Sequence, residues 1–278
     1  MSRPRLFTTV LVYVLLFSLA LMFIVPIVMM LAGSFKADAR VLLEAGSWRG
    51  YLPADMGLQN YRDVFERVPF LRYLLNSVFI STTIVVAGLL VNSLAGYALA
   101  RLRWPGRDSL LLGVIALMII PLEAIAVPLF YEVTVLGWRD TYLVQIIPFI
   151  ANAFSIYLFY AFFIDLPEAL EEAARIDGAG PWRIFFSIVV PNARPVFATV
   201  AILTFLTQWG AFLWPLMVTH SEDVRPLPLG IAAFYTLPPL QWGDIFAFGV
   251  MMVIPVLFIF VFFQHWFVKG VATTGIKG

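Results

Sequence analysis

Apolar residues fall in six long blocks along this chain, at about residues 6–31, 71–100, 109–133, 142–164, 195–219 and 245–268. Some twenty apolar residues suffice for a helix to cross a bilayer. Each block therefore predicts one membrane span, and the chain an all-α polytopic membrane protein. The first block follows Arg3 and Arg5, is longer than a signal-peptide core and has no clear small-residue cleavage site after it, so it reads as a retained helix. Pro26 lies near its outer end. Ser93, Gly96 and Ala100 close the second block with small side chains, which let helices approach closely in lipid. The third is broken by Pro121 and Pro128, and the fourth contains Pro148.

The polar intervals set the topology. Residues 36–72 mix six Lys/Arg with five acids, and Tyr61, Val64 and Phe65 recur at helical spacing within 60–70. That predicts a helix along the outer membrane surface. Residues 101–108 hold Arg101, Arg103 and Arg107 around Pro105-Gly106; Gly137-Trp138-Arg139-Asp140 is an outer turn with a single arginine. Segment 221–244 holds one arginine and Pro226, Pro228, Pro238 and Pro239 with Gly230, a composition that predicts a non-helical chain. Short cytoplasmic loops carry the excess of Lys and Arg, which places both termini, the 101–108 loop and residues 165–194 in the cytoplasm.

Residues 165–194 carry the most specific pattern. Asp165-Leu166-Pro167-Glu168 is a helix start: Asp165 is suited to accept from free N–H groups, Glu168 to reach back as a capping-box acid, and Pro167 to fill the first turn. Residues 168–176 are good helix formers and Gly178 supplies a stop. Gly180-Pro181 turns the chain, and residues 182–190 predict a second short helix before Pro191.

Composition narrows the chemistry. Of 278 residues 62% are hydrophobic and 13% charged, at a mean hydropathy of +0.92. Soluble domains carry about 25% charged residues. One membrane domain over 1–278 follows, with no internal repeat and no soluble domain. Net charge +1 and the lack of a basic tract give no sign of nucleic acid. Zero cysteines exclude disulfides and cysteine metal sites. His220 and His265 stand alone near span ends and read as interfacial. There is no G-x-x-x-x-G-K-[ST], so no P-loop, and no nucleophile–base or metal cluster.

Glu123 is an acid within a span, between Pro121 and Pro128. Such acids face a cavity or a partner, or sit shallow enough to reach headgroups, and both placements stay open. Glu132 reads as interfacial. Asn92 and Ser93, Asn152 and Ser155, and Thr204, Thr207 and Gln208 read first as interhelical hydrogen-bonding positions. The second reading makes Asn92, Asn152 and Gln208 part of a hydrophilic pathway, with Trp209 or Trp214 stacking on a sugar face.

The string Glu171-Glu172-Ala173-Ala174-Arg175-Ile176-Asp177-Gly178, with Ile188-Val189-Val190-Pro191 beyond it, resembles the EAA loop of binding-protein-dependent ABC importer membrane subunits. Val190 stands where the family pattern has Leu. The fuller string is similar to the carbohydrate-uptake branch typified by the maltose system, as are Asn60-Tyr61 and Asn76-Ser77. The resemblance implies a type I ABC importer permease with six spans, in a bacterial or archaeal cytoplasmic membrane and embedded in membrane lipid. It implies a second permease subunit, an ABC ATPase dimer and an extracytoplasmic solute-binding protein as partners, and a sugar or oligosaccharide as solute. Glycerol-phosphate-type or polyol solutes are the alternative within the same machine. An ion-coupled carrier is the rival outside it, and it gives no reason for the 172–178 loop. No cofactor is expected in this chain, because ATP and Mg belong to the ATPase. By position, Glu171, Glu172, Ala173, Ala174, Arg175, Asp177, Gly178 and Pro191 would form the ATPase-coupling surface. Glu172 would make a polar contact, the alanines would seat in a cleft, and Arg175 and Asp177 would pair locally or with the ATPase. The tail ending in Lys277-Gly278 resembles tails that enter the ATPase interface. Trp209-Gly210 departs from a frequent Trp-Asn and removes a donor.

Overall fold

The computed structural model describes residues 3–53, 57–236 and 238–275. Lys277 and Gly278 lie outside them. Among the described residues every regular element is helical. In chain order they are α1 (Arg3–Gly33), α2 (Asp38–Glu44), a 3-10 turn (Trp48–Tyr51), α3 (Gln59–Arg67), α4 (Phe70–Arg101), α5 (Arg107–Leu117), α6 (Leu122–Val135), α7 (Tyr142–Ile150), α8 (Ala153–Ile164), α9 (Ala169–Ile176), α10 (Pro181–Ile184), a π-helical stretch (Phe185–Val189), α11 (Val190–Asn192), α12 (Arg194–Trp209), α13 (Leu213–Val218), α14 (Leu227–Thr236) and α15 (Trp242–Gly275).

Four helical segments are long and apolar enough to cross a membrane: Phe7–Gly33, Phe70–Arg101, Tyr142–Ile164 and Trp242–Phe262. Two bent pairs raise the total to six when each counts as one span. The break expected in the third block is present, and α5 and α6 meet there at 103°. Pro121 sets the break, and Pro128 is absorbed inside α6. The fifth block pairs Pro181–Asn192 with α12 at 79°. Block 221–244 corrects the expectation of an irregular chain, since α14 forms within it. Pro228 falls in the first turn of α14, where no N–H donor is needed.

The chain divides into two compact units, Met1–Leu71 with Gly230–Pro255, and Arg72–Leu229 with Val256–Gly278. In the first, the Asn60 amide donates to the Ser34 and Lys36 carbonyls at 2.9 and 2.8 Å, satisfying acceptors beyond the end of α1. The buried Lys36 ammonium donates to Glu44 Oε2 at 2.8 Å and to the Arg49 carbonyl at 2.6 Å. Arg67 bonds Asp244 at 2.6 Å and lies over the Phe234 ring at 5.2 Å. The predicted surface helix is present as α3, but its packed face is Asn60 and Val64, and Phe65 stays 54% exposed.

In the second unit α4 and α8 pack closely because Gly96 has no side chain. A Cβ there would lie 2.6 Å from Phe159 Cβ and 2.9 Å from the Tyr160 nitrogen, so any other residue forces two backbones apart. Phe159 then stacks edge-on against Phe197 of α12 at 4.7 Å. The outer connections are tied to backbone atoms. Asn76 donates to the Asp223 and Arg225 carbonyls at 3.0 and 2.9 Å, and Ser77 Oγ accepts from the Leu227 N–H at 2.7 Å. Asp140, at φ +58°, accepts the N–H groups of His220 and Ser221 at 2.8 and 2.9 Å. Partial burial pushes its carboxyl up, but those N–H bonds outweigh burial and hold it below the usual range.

Candidate functional site

Two features stand out in the second unit: the α9 platform and a cavity. The platform rests on the end of α4. Tyr97 and Arg101 are one helical turn apart, so they share a face. Tyr97 donates to Glu171 Oε2 at 3.0 Å, and Arg101 Nε lies 3.4 Å from Glu171 Oε1. Arg101 Nη1 reaches Glu168 Oε1 at 3.4 Å, and Nη2 donates to the Leu166 carbonyl. Arg175, one turn beyond Glu171, adds a third contact to its carboxylate at 3.3 Å. The Arg101 and Glu171 side chains are each only 6% exposed. Beneath them Ala174 packs in an apolar cluster with Tyr97, Phe163 and Phe185.

This divides the expected coupling surface in two. Glu171 and Ala174 face the protein, not solvent. Glu172, Ala173, Arg175, Ile176 and Asp177 are exposed, Ile176 to 87%. The helix begins at Ala169 and not at Asp165, which instead closes α8. Glu168 makes no side-chain cap bond and turns to Arg101. At the far end the Ala179 N–H donates to Ala174 O at 2.9 Å and the Gly178 N–H to Arg175 O at 3.0 Å, with Gly178 at φ +79°. That is a Schellman closure, and its left-handed residue is glycine. The predicted second helix does not stop before Pro191. It passes through the π-helical stretch and carries Pro191 in the first turn of α11. Trp182 and Phe186 stack at 6.2 Å on its exposed side.

The cavity has a volume of about 490 Å³ and is lined by residues of α4, α6, α7, α12 and α13 and their connections. Four pathway candidates line it: Glu123, Asn152, Gln208 and Trp214. Glu123 sits in the first turn of α6, where free N–H groups favour an acid. Trp214 presents only its ring, because its indole N–H donates to the Val144 carbonyl at 2.9 Å. Two candidates do not line it. Asn92 is 2% exposed and clips the α7–α8 break, donating to Ile150 O at 3.0 Å and accepting the Asn152 N–H at 2.9 Å. Trp209 is 4% exposed and stacks on Phe205 at 5.2 Å. Ser77, Ser81 and Gln145 also line the cavity, and sequence reasoning did not single them out for it. Only the cross-chain fold brings α4 and α7 beside α12.

Among the described residues no group of three or more His, Cys, Asp and Glu is placed to hold a metal ion. Polar anchoring, an exposed helix face and a cavity are a geometry for docking and passage.

A family model described as the binding-protein-dependent transport system inner membrane component matches residues 84–273. The arabinooligosaccharides transport system permease protein of Halalkalibacterium halodurans is 35% identical over 261 residues, covering 94% of this chain and 93% of its own. The diacetylchitobiose uptake system permease protein of Streptomyces coelicolor is 34% identical, covering 87% and 80%. The sn-glycerol-3-phosphate transport system permease protein of Brucella abortus is 30% identical, covering 80% and 82%. A chain in the crystal structure of a bacterial ABC transporter involved in the import of the acidic polysaccharide alginate superposes with a TM-score of 0.85 at 26% identity, over 96% of this chain and 99% of that one.

Proposed function

The chain belongs to the family of inner-membrane components of binding-protein-dependent transport systems, and from that premise we propose that it carries a sugar or oligosaccharide inward through an ATP-driven ABC importer. Its partners in this reading are a second permease, two copies of an ATPase that holds ATP and Mg, and an extracytoplasmic solute-binding protein. The observation that carries the reading is the two-sided α9. Its inner face is fixed to α4 through Tyr97, Arg101 and Glu171, while Glu172, Ala173 and Ile176 stay open to a partner. A push on the outer face would pass to a membrane helix through a buried ion pair rather than through a loose loop. A sugar solute is supported by two relatives named for oligosaccharides. A glycerol-phosphate-type or polyol solute is the second reading, favoured by the relative named for sn-glycerol-3-phosphate.

The purified subunit in liposomes is expected to show no ATP-dependent uptake of arabinotriose or diacetylchitobiose. Uptake should appear once ATPase, partner permease and solute-binding protein are added. Uptake by the subunit alone would instead support an ion-coupled carrier.

In the same reading both termini and α9 face the cytoplasm, as the arginines of 101–108 imply. A phosphatase fused after Gly278 should be inactive and one inserted after Ser221 active. The reverse pattern would invert the topology and remove α9 from the ATPase side.

A further inference from the structure

We propose that the cavity of the second unit is a solute site in this subunit, built for an uncharged or cationic hydroxyl-rich molecule and closed to anions. The assignment rests on the importer reading above and narrows its solute class. Among the described residues Glu123 is the only charged one that lines the cavity, and none of them partners its carboxylate. Among the described residues no lysine or arginine lines the wall, so a phosphate or uronate entering would meet one like charge and no counter-charge from them.

The uncharged polar groups of the wall point the same way. Asn152, Thr207 and Gln208 line the cavity with side chains that are exposed or half-buried. Asn152 Oδ1 accepts the Ser155 N–H, which leaves its NH₂ group to donate, while the Gln208 amide can both donate and accept. With Glu123 accepting, that set suits the hydroxyl groups of a sugar. Phe149 and Trp214 stand edge to face at 6.0 Å and give the same cavity an apolar wall for a sugar ring.

The chain has no cysteine, so Thr207→Cys, on the cavity wall, places one thiol there. In the assembled complex a cationic methanethiosulfonate reagent is expected to label it at least about fivefold faster than an anionic one, after correction for their rates with a free thiol. Glu123→Gln should bring that ratio close to one. Arabinotriose should slow labelling and sn-glycerol-3-phosphate should not, and Gln208→Ala should raise the protecting concentration by roughly fivefold. An inverted or absent charge ratio, a ratio indifferent to Glu123→Gln, no labelling, or protection by the phosphate would overturn the assignment. ATP-dependent uptake, measured on the same complex, keeps the two readings apart. Its loss with the charge ratio intact would sink the importer reading and leave the charge-selective site standing.

Discussion

Replacing Arg101 with Ala is expected to abolish uptake while leaving the protein in the membrane. The variant alters no apolar block, so insertion should be unchanged. Among the described residues the removed guanidinium is the only group that ties Glu171, Glu168 and the Leu166 carbonyl together. Its loss leaves the Glu171 carboxylate buried, with Tyr97 and the half-exposed Arg175 as remaining partners. Breaking one side of a buried pair costs about 3–5 kcal/mol, because the other charge stays in place without its partner. Arg175 softens that figure toward its lower end. A thermal melt of the purified complex should therefore fall, and ATP hydrolysis should no longer respond to the solute-binding protein. Arg101→Lys keeps the charge but loses the fork, so its loss should be intermediate. The double variant Arg101→Ala/Glu171→Gln should melt higher than Arg101→Ala alone, since the orphaned charge is gone, yet still fail in uptake. A double variant as unstable as the single one would mean that packing, and not the ion pair, holds α9 to α4.

That pair also shows where sequence reasoning stops. Glu171 and Glu172 are adjacent and chemically alike, and the motif presents them as one polar surface. On a helix neighbours point about 100° apart, so one of them had to face away from whatever the other meets. Arg101 decides which, and it lies far back in the chain, where the sequence offered it only as a marker of the cytoplasmic side. The spacing Tyr97 to Arg101 and Glu171 to Arg175 placed each pair on one face, but nothing local said that the two faces meet. The apolar blocks were legible because span length is a property of the segment itself. The 103° turn between α5 and α6 was not, because a proline fixes where a helix fails and leaves the new direction to its neighbours. Asn92 and Trp209 show the same limit. A polar or aromatic residue in a span satisfies its groups either on another helix or in a cavity, and only contacts tell which. The helix α14 was missed for a local reason. The four prolines read as helix breakers, although Pro228 stands in a first turn that tolerates it.

The outer face of α9 carries the second large effect. In the proposed coupling Glu172 makes a charge-assisted contact to the ATPase, so Glu172→Ala should weaken docking by about 1.5–3 kcal/mol, with no change in the melt of the subunit, because Glu172 is exposed. Gly178 acts differently. It closes α9 at φ +79°, with nothing within 4 Å of where a Cβ would sit. Space is therefore not the constraint, and backbone conformation is. Valine, branched at Cβ, is strained there by about 1–3 kcal/mol, and relief would unwind the closure made by the Ala179 and Gly178 N–H groups. Asparagine visits the left-handed region more readily, so Gly178→Asn should keep most of the uptake that Gly178→Val loses. Both Glu172→Ala and Gly178→Val should still insert. Both should lose uptake, and Gly178→Val should also shed the ATPase during purification, because it displaces the whole face and not one contact. The measurement is uptake beside co-purification of the ATPase. If Glu172→Ala and Gly178→Val transport at the parental rate with the ATPase bound, the outer face of α9 does not couple the ATPase to the membrane helices. If Gly178→Asn fails as badly as Gly178→Val, the glycine serves the docking surface itself and not the turn.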